Sequence, residues 1–351
     1  METVIDNLEG LRKLDKGRML KALREFPEYC RQAVEIANAA PLGDLVDRAF
    51  EAVVFTGMGG SAIGGQLTGD WLSQESTVPI VVSRGYHLPG FVNEETLVFA
   101  VSYSGNTEET LSAFQEALGR RASIISITSG GLLEGLSKRE GLPLLLMPTG
   151  LRPRAAIPYQ FFMIAATMNR LGLIPHSWAE VEEAIKTLEK LKEEIVPEVP
   201  ADRNPAKKLA MSLMNKVPFV YGPPSFEGVA YRLGTQLNEN SKVPASSGAF
   251  PELFHNAVLG CEGPDEVLRP LCVLVIRDLG ETVEIARKVE RFKALLEPRI
   301  GGMLEVRARG RGKLARMLSV LYVGDYVSTY LGLLYGRDPS SMDAIEELKR
   351  V

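Results

Sequence analysis

The sequence predicts an α/β protein of two domains, each a parallel sheet flanked by helices in a three-layer α/β/α sandwich. Three observations lead there. Short β-branched apolar runs alternate with amphipathic stretches, which is the pattern of a parallel sheet covered on both faces. That alternation occurs twice, on either side of a helical middle. With 351 residues, 45% of them hydrophobic, the chain can bury two cores of about 150 residues each.

The elements follow in order. Apolar periodicity predicts a helical segment over roughly residues 8–40. Strands are then expected in "AVVFTG" (52–57), "PIVVS" (79–83), "TLVFAVS" (96–102), "ASIISIT" (122–128) and "PLLLMP" (143–148), with amphipathic stretches between them. Residues 154–215 turn helical, through "YQFFMIAATMNRLGLI" and the charge-laced "SWAEVEEAIKTLEKLKEEIV". Alternation resumes with "PFVYG" (218–222), a helix over 226–240, "RPLCVLVIRD" (269–278), a helix over 281–296, "GGMLEVRA" (301–308) and a long helix over 312–336. The tail "SSMDAIEELKRV" opens like a capped helix, with acidic Asp343 in its first turn. The domains are therefore 1–153, including the N-terminal helical segment, a helical connection 154–215, and 216–351 ending in a helical tail. No residue-level repeat links the halves.

Composition narrows the function. A net charge of −4 provides no basic field for nucleic acid, and no block of like charge suggests an interaction tail. The N-terminus "METVIDNLEGLRKLDKGRML" alternates charge with apolar residues, unlike a signal peptide. Apolar runs such as "LCVLVI" fall far short of the ~20 residues that span a bilayer, so no membrane partner and a cytoplasmic address are expected. Three cysteines and three histidines lie scattered without ligand spacing, so neither a disulfide framework nor a protein-bound metal is expected.

The stretch "GMGGSAIGG" (57–65) joins the first strand to a helix. Gly57, Gly59 and Ala62 satisfy a dinucleotide-type G-x-G-x-x-A pattern, which also calls for an acidic residue about 20 positions on to hold a ribose. The second strand instead ends in "VVSRGY", with Ser83 and Arg84, which argues against NAD and leaves NADP as the dinucleotide alternative, since an arginine there suits a 2′-phosphate. After the third strand, "VSYSGNTEET" places Ser102, Ser104 and Thr107 around Gly105, and Asn106 with Glu109 has capping-box spacing. An ordinary cap needs one such group, whereas a phosphate monoester offers several acceptor oxygens and suits the free N–H groups of a helix N-terminus. Two such turns, with Gly60 and Ser61 from the first, predict a phosphate site at the carboxyl edge of the sheet.

A Gly-Gly-Ser turn after strand one and "SYSGNTEET" after strand three resemble the sugar isomerase (SIS) domain, which binds phosphosugars. The resemblance continues through "PRAAIPY" (153–159), "NENSKVPASSGAFPELFHN" (238–256) and "GRDPSSMDAIEELK" near the end. Together these motifs are similar to the bifunctional phosphoglucose/phosphomannose isomerases, which are built from two SIS domains. The resemblance implies interconversion of glucose 6-phosphate, and of mannose 6-phosphate, with fructose 6-phosphate through a cis-enediol, without a cofactor. Other SIS-domain isomerases and a non-catalytic phosphosugar sensor are the alternatives. The "FPELFHN" segment argues against the first, and a base with a histidine argues against the second.

The chemistry needs a base to move a proton between C1 and C2. Glu239 in "LNENSK" is the candidate, and the resemblance selects it over a merely solvated glutamate. Ring opening needs a group that exchanges protons near neutrality, and an imidazole titrates at about 6.5. The resemblance assigns that role to His255. It also assigns Arg154 to the enediolate charge, which calls for a fixed cation, and Lys349 to assistance in ring opening. Ser340 or Ser341 would be the small hydroxyl residue that tolerates either C2 epimer. The resemblance further implies a homodimer in which His255 is shared across the interface.

Overall fold

The computed structural model describes residues 4–174 and 178–348. They form two compact units, one from Glu25–Ala179 and one from Met1–Arg24 together with Glu180–Val351. In chain order the elements are α1 (Leu8–Leu14), α2 (Met19–Arg24), α3 (Phe26–Ala39), β1 (Ala52–Thr56), α4 (Gly60–Leu72), β2 (Ile80–Ser83), β3 (Thr96–Ser102), α5 (Glu108–Gly119), β4 (Ser123–Thr128), α6 (Gly131–Arg139), β5 (Leu144–Leu146) and α7 (Ile157–Arg170). There follow α8 (Ala179–Ile195), α9 (Pro205–Ser212), β6 (Val217–Gly222), α10 (Glu227–Gln236), β7 (Ser246–Ala249), α11 (Ala257–Gly260), α12 (Asp265–Leu268), β8 (Leu271–Arg277), α13 (Val283–Leu296), β9 (Gly302–Arg307), α14 (Lys313–Leu334) and α15 (Asp343–Leu348).

In the 25–179 unit, five parallel strands run in the order β2-β1-β3-β4-β5. Strands β1 and β3 are buried along their whole length, as the continuous apolar runs require. Because side chains alternate across a strand, Val54 and Val98 join the cluster with Phe114 and Leu133, while Phe55 stacks on Phe99 at 5.0 Å between centroids. The strand order reverses between β1 and β3. The carboxyl edge at such a switch point is where open α/β sheets bind ligands.

The second unit has the parallel order β7-β6-β8-β9. Helix α14 passes through it and packs on α2, α9 and α10. By length and composition α14 could cross a membrane, yet 94% of its most apolar window is buried inside the protein. A helix apolar on every side is a core helix in such a setting. Strand β7 was not expected from the sequence: "SSGA" carries no apolar pattern and pairs at the sheet edge, Phe219 opposite Ser246.

The units divide the chain differently from the sequence-based boundaries. Helix α7 belongs with residues 25–179, where Tyr159 stacks on Tyr29 of α3 at 5.2 Å and Phe161 meets Trp71 of α4 at 6.1 Å. The first 24 residues belong with the second unit, where Lys207 Nζ reaches Asp6 at 2.9 Å and the Tyr322 hydroxyl donates to Leu23 O at 2.7 Å. Amphipathic periodicity reveals that these helices need a partner, not which one. The expected single helical segment over 8–40 is also broken. Asp15 accepts from Met19 N and Leu20 N at 2.7 and 2.8 Å, starting a new helix, and Arg18 takes a left-handed φ of 56°.

Candidate active site

Gly60 and Ser61 open α4 after β1, and Ser102 ends β3. The two turns touch, since Tyr103 N donates to Ser61 Oγ at 3.4 Å. Within the second turn, Ser102 Oγ accepts from Gly105 N at 3.1 Å and lies 2.9 Å from Thr107 Oγ1, while Asn106 N donates to Ser104 Oγ at 3.2 Å. Ser102 is buried, Thr107 half-buried and Ser104 exposed. Gly105 adopts φ 69°, and a Cβ there would lie 1.8 Å from Gly130 O, so only glycine lets the 102–107 turn seat against the loop before α6. The expected capping box is not made. Thr107 is the N-cap of α5, and Asn106 Oδ1 instead accepts from Leu132 N at 3.0 Å, capping the neighbouring helix.

Arg154 joins this group. It lies in a short 3-10 turn, Pro153–Ala156, and is 2% exposed rather than a surface residue. Gly60 faces it closely: a Cβ on Gly60 would lie 3.4 Å from Arg154 Cα. Tyr103 fixes the approach to that turn, its hydroxyl donating to Pro148 O at 3.1 Å and accepting from Leu151 N at 2.8 Å. Burial pushes the Tyr103 phenol up. The 25–179 unit thus gathers Gly60, Ser61, Ser102, Ser104, Thr107 and Arg154: hydroxyls, backbone N–H groups and one buried cation, a set that suits an oxyanion.

Glu239 lies in the other unit, in a π turn, Leu237–Ser241, that continues α10. Such one-turn widenings are frequent at functional sites. The turn is clamped onto α14, where Asn240 Nδ2 donates to Ser328 Oγ at 3.0 Å and Ser241 Oγ donates to Ser328 O at 2.7 Å. Gly332 lets the backbones close, since a Cβ there would lie 2.4 Å from Asn240 O. Below it sits a buried ion pair, with Arg232 Nη2 and Nε at 2.7 and 3.1 Å from the Asp325 carboxylate and Gln236 Nε2 at 3.2 Å. Burial raises the Asp325 carboxyl above its ordinary value against the opposing pull of Arg232, and the Glu239 charge adds to the rise. Glu239 itself is half-buried.

Lys242, left-handed at φ 60°, ends the turn. Its ammonium donates to Glu239 O and, at 2.9 Å, to Ser341 O, bringing the C-terminal tail to the π turn. Ser340 is buried and its hydroxyl donates to Asp338 Oδ1 at 2.7 Å. His255 is exposed at the end of a 3-10 turn, after Phe254, whose ring stacks on Phe250 at 4.8 Å. Lys349 lies outside the described residues. Among the described residues, no three His, Cys, Asp or Glu side chains form a metal-binding group.

Comparison with known proteins decides the family. A model described as the SIS domain matches residues 50–132, and one described as the bacterial phospho-glucose isomerase C-terminal SIS domain matches residues 202–351. A bifunctional phosphoglucose/phosphomannose isomerase of Caldicellulosiruptor bescii is 39% identical over 332 residues, covering 94% of this chain and 98% of that protein. The chain belongs to the bifunctional phosphoglucose/phosphomannose isomerase family. A second family member, from Aquifex aeolicus, is 36% identical and covers 86% of this chain and 90% of its own. Among solved structures, a glucose-6-phosphate isomerase like protein from Thermus thermophilus has TM-score 0.66 at 21% identity, covering 97% of this chain and 99% of its own, a likeness of fold. The expected architecture of two SIS domains with parallel sheets flanked by helices stands.

Within this family fold, sequence reasoning missed three polar residues that the structure places against the candidate groups. Gln160 donates through Nε2 to Ser61 Oγ at 3.1 Å. Asp325 and Ser328 on α14 hold the turn of Glu239 from below. Each is a polar residue within a long apolar helix, and that oddity is the one signal the sequence carries for them.

Proposed function

We propose that this chain interconverts glucose 6-phosphate, and also mannose 6-phosphate, with fructose 6-phosphate. The relation to bifunctional phosphoglucose/phosphomannose isomerases over 94% of the chain carries the reading, and the hydroxyl-lined turns after β1 and β3 support it chemically. Gly60, Ser61, Ser102, Ser104 and Thr107 hold the phosphate. His255, assisted by Lys349, exchanges protons with the ring oxygen and anomeric hydroxyl to open the sugar. Glu239 then takes the proton from one of C1 and C2 and returns it to the other through a cis-enediol. Arg154 offsets the developing enediolate charge, a task for which a buried, pre-placed cation suits better than a mobile one. A coupled assay offering glucose 6-phosphate and mannose 6-phosphate separately tests the reading. Formation of fructose 6-phosphate from each is expected, and turnover of neither would overturn it.

The phosphate grip has its own test. Ser104→Ala and Thr107→Ala should each raise KM for fructose 6-phosphate about 10–100-fold, since a charge-assisted hydrogen bond contributes roughly 1.5–3 kcal/mol. Steady-state kinetics of the two variants measure this. Unchanged KM in both would leave the turn a helix cap and nothing more.

The reading extends to assembly: a twofold homodimer in which each His255 serves the partner's site. The exposure of His255 supports donation outward. Mixing Glu239→Gln with His255→Ala chains under reversible dissociation tests it. With the histidine acting in trans, one site of each mixed dimer carries both lesions and the other carries none. Random pairing makes about half the dimers mixed, so activity should recover to about one quarter of wild type. Verified mixed dimers without recovery would place the histidine in its own chain's site.

A further inference from the structure

We infer that Gln160 is a positioning residue for the phosphate grip, acting by turning the Ser61 hydroxyl into an obligate hydrogen-bond donor; this rests on the reading of Ser61 as a phosphate ligand. Gln160 is fully buried on α7. Its Nε2 lies 3.1 Å from Ser61 Oγ, and Tyr103 N lies 3.4 Å from the same oxygen, each donating to it. A serine hydroxyl has two acceptor sites and one proton. With both acceptor sites taken by N–H groups, what Ser61 has left to offer is its proton, and none of the described residues accepts it. A phosphate monoester, an acceptor at every free oxygen, is the partner such a hydroxyl fits. A buried helix hydroxyl with a carbonyl in reach spends its proton there instead, as Thr68 does further along α4 with Gly64 O at 2.8 Å.

The rest of the amide supports this. Gln160 Oε1 is buried and receives no hydrogen bond from the described residues. An unmade buried hydrogen bond is a cost that an apolar side chain of the same volume would avoid. The offsetting gain lies in the other half of the amide, which holds Ser61. The placement is set by helix packing: α7 presses against α4 at Gly64, where an added Cβ would lie 3.4 Å from Gln160 C. Methionine would fill the same space without the donor.

The experiment compares Ser61→Ala, Gln160→Met, Gln160→Leu and the double variant Ser61→Ala/Gln160→Met. The readouts are kcat and KM for fructose 6-phosphate, and inhibition by inorganic phosphate. Ser61→Ala should raise KM and the phosphate inhibition constant at least about tenfold, the worth of one charge-assisted bond. Gln160→Met and Gln160→Leu should each raise both about 3–10-fold with kcat held within about twofold, the split expected when only binding common to ground and transition states is lost. The double variant should match Ser61→Ala alone, because a residue acting only through Ser61 has nothing further to lose. A double variant whose loss is the product of the two single losses would overturn the inference and leave Gln160 a packing residue. A lowered KM in Gln160→Met would overturn it differently, since the amide would then be accepting the Ser61 proton and competing with phosphate. If Ser61→Ala alone changes neither constant, the phosphate reading of Ser61 fails, and that result is distinct from the other two. Thermal melts of all four variants separate loss of folding from loss of binding.

Discussion

Glu239→Gln is expected to lower isomerisation by about 10²–10⁴-fold, the usual contribution of a positioned general base, while phosphosugar binding persists. Glutamine keeps the volume and planarity of the side chain and lacks the basic oxygen. The π turn that carries it is held by Asn240 and Ser241 on Ser328, contacts that the substitution does not touch, so the backbone geometry survives. Turnover of fructose 6-phosphate, paired with calorimetric binding of the same sugar, makes the measurement. Wild-type turnover would remove Glu239 from the mechanism, and loss of binding together with turnover would mean that the side chain holds substrate instead of moving a proton.

The second large effect concerns stability. Asp325→Ala should destabilise the unit containing α14 by roughly 3–5 kcal/mol, because it removes the carboxylate that balances the Arg232 charge in the interior. Both partners are 2% exposed, so water cannot take over the lost contacts. The penalty comes from keeping the Arg232 charge buried without that carboxylate rather than from the worth of the pair. Replacing both at once, Arg232→Met with Asp325→Leu, should therefore recover most of the loss. Urea unfolding reads the shift. A single-site loss below about 1 kcal/mol would mean that the interior reorganises to hydrate the arginine.

The sheets were legible because their strands are buried on both faces, and a run such as "TLVFAVS" announces itself without any partner; it forms β3 over the same residues. Strand β7 was not, since Ser246 to Ala249 join the sheet through backbone pairing at its edge and bring no apolar side chain larger than alanine. The hydroxyls around Gly105 were readable as a cluster because they are close in sequence. Their wiring was not: Asn106 caps α6, a helix whose first turn is 26 residues away. The same limit applies to the support of Glu239. Arg232 meets Asp325 across 93 residues, and nothing local to either residue encodes the partner. Gln160 was hidden for that reason too, lying 99 residues from Ser61.

The joining of the first 24 residues to the unit built around α14 has a consequence for how the chain is made. Leu23 leaves the ribosome 299 residues before Tyr322, the side chain that hydrogen-bonds its carbonyl. At roughly 5–20 residues per second, that interval is about 15–60 s. Until α14 follows, the contacts between it and α2 cannot form, whereas every contact within residues 25–179 lies in one contiguous stretch of chain. Synthesis thus supplies the last residues of the second unit only after every residue of the first has been made.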